Sequence, residues 1–271
     1  MLIDWDGLED FSSEELQNAL LESAVEKLPK TTRQTVLELY GGTENTYKKR
    51  MTINGYSVSN EPAEDKKESD DGVDRGMVAV HANISKINHS CRPNAVPQWD
   101  WDLLAHKLHA VRDIAAGEEI TMSYFDTLQT RLERQQYTQD NLGFECACSQ
   151  CKIAGHLANL SDDRINEIRL LEEYLENRQI APAEPTAMAD LLVSLYEQEG
   201  LESVIGRAYA IAAREWNGVG HEYQARSWAY RSVKAALISS PETRWDDDLE
   251  DMEALLDGAR KHWSWKYRVR Q

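Results

Sequence analysis

The sequence predicts an α+β fold. A helical N-terminal stretch ending in a charged loop (1–76) precedes a β-rich core (77–140), a cysteine-bearing segment (141–155) and an all-α region (156–271). Three observations carry this. Apolar residues recur every three or four positions near the start, alternate with period two between Met77 and Tyr124, and return to helical spacing beyond Gly155. Turn formers crowd the middle stretch. A Cys-x-Cys-x-x-Cys cluster stands at the junction. With 271 residues and 41% hydrophobic side chains the chain can bury a sizeable core.

Taken in order, Ser12 and Glu15 form a capping box, and Leu16, Leu20, Ala24 and Leu28 then repeat every four residues up to Pro29. A second helix is expected from Thr32 to Leu39, stopped by Gly41-Gly42. Residues 57–76 are nearly devoid of apolar side chains and read as a mobile surface loop. Short strands follow at Met77–Val80, at Asn94–Val96 between Pro93 and Pro97, at Lys107–Ala110 and at Ile120–Tyr124, the last after a turn at 116–119. Thr127–Asp140 is polar and helical. Ser161, with Asp162 and Asp163, reads as a capped helix start for the face Ile165, Ile168, Leu171 and Leu175. Met188, Leu191, Leu192 and Leu195 form the next face, stopped at Gly200. Ala-rich helices at 202–216 and 221–239 flank a turn at 217–220, and Leu249, Met252, Leu255 and Ala259 make the last face. Such paired helices resemble tetratricopeptide packing in style, without a clean 34-residue repeat.

Forty-seven acids against thirty Lys and Arg give a formal charge of −17, concentrated in the flanks. That balance argues against nucleic-acid binding, which runs on phosphate neutralisation, and suits both solubility and a basic, lysine-containing protein partner. No stretch approaches the roughly 18 to 20 apolar residues of a membrane span. The N-terminus has neither the charge nor the apolar run of a secretory signal, so a nuclear or cytoplasmic location is expected.

Cys146, Cys148 and Cys151 lie within six positions, and Cys91 is the remaining cysteine. A tight thiol triplet in a chain without a secretory signal points to a metal more than to disulfides. Structural zinc takes four ligands, so a distant fourth is required. Cys91 can supply it; His89 and His156 are alternatives. Around Cys91 runs Asn88-His89-Ser90-Cys91-Arg92-Pro93-Asn94, a dense group of amides, imidazole, hydroxyl and thiol.

That group, followed by Gly117-Glu118-Glu119-Ile120-Thr121-Met122-Ser123-Tyr124 and then Phe144-x-Cys146-x-Cys148-x-x-Cys151, resembles the SET-domain protein lysine methyltransferases. It is closest to the branch with a C-terminal helical domain and in its fungal form, without the cysteines of a MYND finger. The likeness covers roughly residues 10–155 well and the helical tail loosely. It implies a β-rich SET core, a zinc-bound post-SET segment and a tetratricopeptide-like tail. It further implies that Asn88, His89 and Phe144 hold S-adenosylmethionine, that Tyr124 is the active-site tyrosine, and that Cys91, Cys146, Cys148 and Cys151 bind Zn2+. The substrate would be a protein lysine, histone or non-histone.

Two departures accompany the likeness. SET domains open on a Gly-x-Gly turn around the cofactor's methionine, and residues 1–80 hold no match to it, so weak cofactor binding by this chain is expected. The position two before Phe144, often aromatic in relatives, is Leu142. The competing reading is a catalytically inactive SET remnant that serves as a zinc-stabilised interaction module.

Overall fold

The computed structural model describes residues 1–269 apart from Thr43, 59–76, Ala82, Trp101 and 240–246. The chain forms two compact units. One comprises Met1–Ile87, Trp99–Lys107 and Tyr137–Glu145; the other comprises Asn88–Gln98, Leu108–Gln136 and Cys146–Gln271.

In the first unit, β1 (Leu2–Asp4) leads into a short helix α1 (Trp5–Glu9), whose first turn is capped by the Asp4 carboxylate accepting from the Gly7 N–H at 2.9 Å. The helices α2 (Glu14–Glu26), α3 (Lys30–Leu37) and α4 (Tyr47–Asn54) follow, then β2 (Gly55–Val58) and β3 (Met77–Val80). β3 is the central strand, antiparallel to β1 on one side (Ile3 opposite Val78) and to β2 on the other (Tyr56 opposite Ala79). Gly55 is demanded by space: a Cβ there would meet Val78 Cγ1 at 2.4 Å and the Met51 carbonyl at 2.6 Å.

Several expectations shift here. Ser13, not Ser12, caps α2, its hydroxyl accepting from the Leu16 N–H at 3.4 Å. The buried stripe is accordingly Gln17, Leu21 and Val25, while Leu16 and Leu20 face solvent. Leucines occupy both stripes, and packing against Val36, Leu39, Met51 and Val80 selects the one that faces the core. Helix α3 begins two residues earlier than expected, at Lys30 after Pro29. Helix α4 was not legible, because Lys48-Lys49-Arg50 hide its buried side. Arg50 is itself buried and donates to the Leu37 and Leu39 carbonyls that the end of α3 leaves open. Ser57 and Val58 belong to β2 rather than to a loop, and the rest of that predicted loop, 59–76, lies outside the described residues.

β4 (Asn88–His89), β5 (Ala95–Asp100), β6 (Ala105–Ala110) and β7 (Thr121–Met122) come next. β5 and β6 form a hairpin. In the first unit Trp99 and His106 pack with His81, ring centroids 5.0 to 5.7 Å apart. Helix α5 (Arg131–Tyr137) ends in a π turn, Thr138–Leu142, and α6 (Ser149–Lys152) is a single turn inside the cysteine cluster.

The second unit carries the helical stack: α7 (His156–Glu176), α8 (Pro185–Glu199), α9 (Ile205–Gly218), α10 (Glu222–Ser239) and α11 (Asp247–Gly258). Ile165, Ile168, Leu171 and Leu175 of α7 meet Leu192, Leu195 and Tyr196 of α8 and Ile211 of α9. The other side of α9 packs Ala210 and Ala213 against Ala225 and Ala229 of α10 and Met252 and Leu255 of α11. Small side chains on both faces let α9 sit centrally. Gly200, at φ +63°, ends α8 in the left-handed conformation glycine adopts without strain. Leu191 is exposed although it belongs to the expected α8 face. Ser161 is not a cap: α7 starts five residues earlier and buries the Ser161 hydroxyl as a donor to Glu199 at 2.7 Å. The C-terminal turns dock onto α9 and α11 through Lys266 N–H to Asn217 O and Trp263 Nε1 to Asp251. No helix among the described residues is long and apolar enough to cross a membrane.

Candidate functional site

The site lies in the second unit and is built on one parallel pairing. β4 aligns Asn88 with Thr121 and His89 with Met122, and the Ser90 N–H continues the ladder to the Met122 carbonyl at 3.0 Å. Asn94 fastens the far end. Its amide nitrogen donates to Glu118 (3.0 Å) and to the Glu119 carbonyl (2.9 Å), while its oxygen accepts from the Thr121 N–H (2.8 Å). The two polar motifs, 88–94 and 117–124, are thus laced together by a buried side chain whose hydrogen-bonding capacity is largely used.

Cys91, Cys146, Cys148 and Cys151 converge, their four sulfurs all within 4.8 Å of one another, and none is in a disulfide. Cys91 Sγ stands 3.8 Å from Cys146 Sγ and 3.5 Å from Cys151 Sγ. A tetrahedron with metal–sulfur bonds of about 2.3 Å has edges of about 3.8 Å, so the cluster is already sized for zinc. Hydrogen bonding among the sulfurs pushes the Cys91 and Cys146 thiols up and Cys148 down, and brings Cys151 down to about 6. A divalent cation at the centre would favour all four thiolates together. The alternative donors fall outside the group: His156 is exposed at the start of α7, and His89 approaches only Cys91.

His89 links the cluster to Tyr124. Its Nδ1 accepts from the Tyr124 backbone N–H at 3.2 Å, which leaves the proton on Nε2, 3.3 Å from Cys91 Sγ and able to donate to that sulfur. The imidazole packs against Tyr124 and Phe125, centroids 5.2 and 4.6 Å away. Burial pushes its pKa down to about 4, so it is neutral near pH 7. Burial, and secondarily the charge of Glu119, raises the Tyr124 pKa, so its hydroxyl stays protonated. Asn88 is exposed and donates to the Glu119 carboxylate at 2.6 Å. Phe144, half-buried, belongs to the first unit, where its N–H donates to the Thr138 carbonyl at the end of the π turn; Leu142 is the last residue of that turn.

Sequence reasoning missed the residues that brace the cysteines. Gln135 reads the Cys146 backbone in both directions, accepting from its N–H at 3.1 Å and donating to its carbonyl at 2.8 Å. Arg134 is almost fully buried. Burial alone would lower its pKa, but a hydrogen bond to Cys151 and the nearby thiol charges raise it. A guanidinium in that place offsets the negative charge of a four-thiolate metal site. In sequence both lie on a polar helix with nothing to distinguish them from solvated residues.

Comparison with known proteins agrees with this geometry. Residues 9–125 match the SET domain family. The Schizosaccharomyces pombe protein "Histone-lysine N-methyltransferase set5" is 44% identical over 69 residues, covering 26% of this chain and 22% of that protein. Human "Histone-lysine N-methyltransferase SMYD3" is 43% identical over 75 residues (28% and 17%), and human "N-lysine methyltransferase SMYD2" is 30% identical over 106 residues (36% and 24%). The matched segments therefore span less than a quarter of these relatives' own length. Residues 9–125 thus carry a SET domain, and the chain is similar there to SET-domain lysine methyltransferases.

Proposed function

We propose that the protein transfers a methyl group from S-adenosylmethionine to a protein lysine, with zinc held by Cys91, Cys146, Cys148 and Cys151. The observation that carries this reading is the parallel β4–β7 pair, which sets Asn88 and His89 beside the strand leading to Tyr124, with His89 Nε2 3.3 Å from Cys91 Sγ of the four-thiol cluster. The chain would then divide into a helical insert with its charged loop (1–76), a SET core (77–140), a post-SET zinc segment (141–155) and a tetratricopeptide-like helical domain (156–271).

The groups around this pair suit a cationic cofactor. Asn88, neutral His89 and protonated Tyr124 bring no positive charge, and the Glu119 carboxylate lies at their edge. When bound, S-adenosylmethionine supplies an electrophilic methyl on sulfur. Asn88 and His89 would hold its polar ends, and Phe144, by its place in the motif, its adenine ring. Tyr124 would orient the incoming lysine nitrogen through its hydroxyl; an un-ionised phenol is a positioning group rather than a base. Holding donor and acceptor in line accounts for up to about 7 to 11 kcal/mol of such a reaction's barrier. The lysine must be neutral when it attacks, which a desolvated channel favours. A basic substrate, histone or non-histone, fits the chain's −17 charge, and a nuclear or cytoplasmic location fits such a substrate.

The test is transfer of labelled methyl to histone proteins, together with calorimetric titration of S-adenosylmethionine. Tyr124→Phe is expected to lower transfer by about 100-fold, the scale of a misplaced reactant, while zinc content stays unchanged. Without the Gly-x-Gly turn the cofactor is expected to bind weakly and transfer to be slow; zinc binding with no transfer at saturating cofactor would replace this reading by the interaction-module one.

A further inference from the structure

One buried carboxylate grips both segments that supply the cysteines. Glu199, the last residue of α8, has a side chain only 1% exposed. Its Oε2 accepts from Arg92 Nη2 at 2.9 Å, from Ser161 Oγ at 2.7 Å and from Gln150 Nε2 at 3.2 Å; its Oε1 accepts from Arg164 Nε at 2.7 Å. Its backbone carbonyl also accepts from Arg92 Nε. Arg92 follows Cys91 directly and turns back to the Cys91 carbonyl at 2.7 Å, and Gln150 directly precedes Cys151. The turn that carries Cys91 and the segment that carries Cys151 are therefore tied to the same carboxylate oxygen, Oε2.

Such an arrangement is costly to build. A carboxylate in so dry a place loses its hydration, and only good geometry with several donors makes up for it. Apolar side chains would fill the same space with less demand. What they could not do is fix two separate loops in a set relation, because dispersion contacts have little directional preference whereas each hydrogen bond here has a defined partner and angle.

We propose that Glu199 is a positioning residue for the metal site, holding Arg92 and Gln150 so that Cys91 and Cys151 stand within bonding reach of one ion. The helical stack is then a working part of the cysteine cluster, with α8 setting how tightly the metal is kept. This rests on the reading that the cluster binds zinc. Ligands that are already placed need not be ordered when the ion arrives, and groups behind the ligands typically change metal affinity by about 10- to 100-fold.

The experiment measures zinc release from the full, zinc-loaded chain to a chromogenic chelator. Glu199→Gln is expected to release zinc at least about 10-fold faster than wild type, and Gln150→Ala about 3-fold faster, for loss of one hydrogen bond. Glu215→Gln is the control. That carboxylate is equally buried and paired with Arg268 and Tyr267 inside the helical stack, so it lowers the melting temperature while zinc leaves at the wild-type rate. Release from Glu199→Gln at the wild-type rate, or no faster than from Glu215→Gln, overturns the proposal. Should Glu199→Gln fail to fold, Gln150→Ala decides, because it leaves every buried charge paired. A wild-type chain that holds no zinc would overturn the zinc reading and this proposal together, whereas zinc held equally well by all variants would overturn the proposal alone.

Discussion

Between α7 and α11 the buried side chains are chiefly Ile, Leu and Ala, from Ile165 and Ile168 to Ala229 and Leu255. Between Asn88 and Cys151, in the same compact unit, they include Ser90, Cys91, Asn94, Thr127, Arg134 and Cys146. The helical stack is held by many similar apolar contacts, each replaceable at moderate cost. The cysteine-bearing part relies more on polar, directional contacts, where the loss of one bond strands its partner. One unit thus combines a forgiving scaffold with an unforgiving site.

The contrast can be broken in several ways. The largest effect is expected from Cys146→Ser, which should abolish stoichiometric zinc binding and destabilise by more than about 4 kcal/mol, the range reached when a metal site is lost. Hydrogen-exchange mass spectrometry should then show protection lost over residues 88–151 and kept in α7–α9; uniform loss would show that the two parts are not separable. Asn94→Ala removes three hydrogen bonds made by a side chain that is itself almost fully buried. It should cost about 3 kcal/mol in urea unfolding and loosen zinc. Ile168→Val, in the stack, should cost only about 1 kcal/mol and leave zinc untouched.

A pH experiment sharpens the comparison at the far end of the stack. Asp251 is partly desolvated, which raises its pKa, but hydrogen bonds from His262, Arg214 and Trp263 outweigh this and hold it well below the usual carboxylate range. Its stabilising contribution is therefore complete above about pH 4, the unfolded-state value, and is lost as pH falls through the lower folded-state value. The melting-temperature gap between wild type and Asp251→Asn should be constant from pH 8 to about pH 5 and close below pH 4. A gap that widened on acidification would contradict the assignment.

The same neighbourhood shows why residue types alone do not make a site. Ser264, His262 and Asp251 are linked by hydrogen bonds of 2.8 and 2.9 Å, the order of a hydrolase triad. Ser264 is fully buried and its hydroxyl also accepts from Asn217, so no substrate can reach it and the chain serves to hold the C-terminal turns.

What sequence made legible was local. The face Ile165, Ile168, Leu171 and Leu175 and the stop at Gly200 follow from spacing and from glycine, while the expected turn at 217–220 is confined to 219–220 because α9 runs on through Gly218. The convergence of Cys91 with the triplet followed from ligand number, and the structure brings those sulfurs together. What stayed hidden was chosen by tertiary contact. Ser161 looks like a cap and is a buried donor; Glu199 looks like one acid among forty-seven and receives two arginines. Leu16 and Leu21 have the same local credentials, and only the neighbouring helices decide which is buried.

The contact between Arg92 and Glu199 joins residues 107 positions apart. Synthesis delivers Cys91 first, the triplet some fifty residues later, and Glu199 well after that. Helices of the stack close through short-range contacts and form quickly, whereas the parallel β4–β7 pair and the sulfur cluster need long loops to close. On the ribosome, all four thiols are exposed before the brace that aligns them exists. On the zinc reading proposed above, the birth order of the chain favours an ion captured loosely at first and locked in only when the end of α8 arrives.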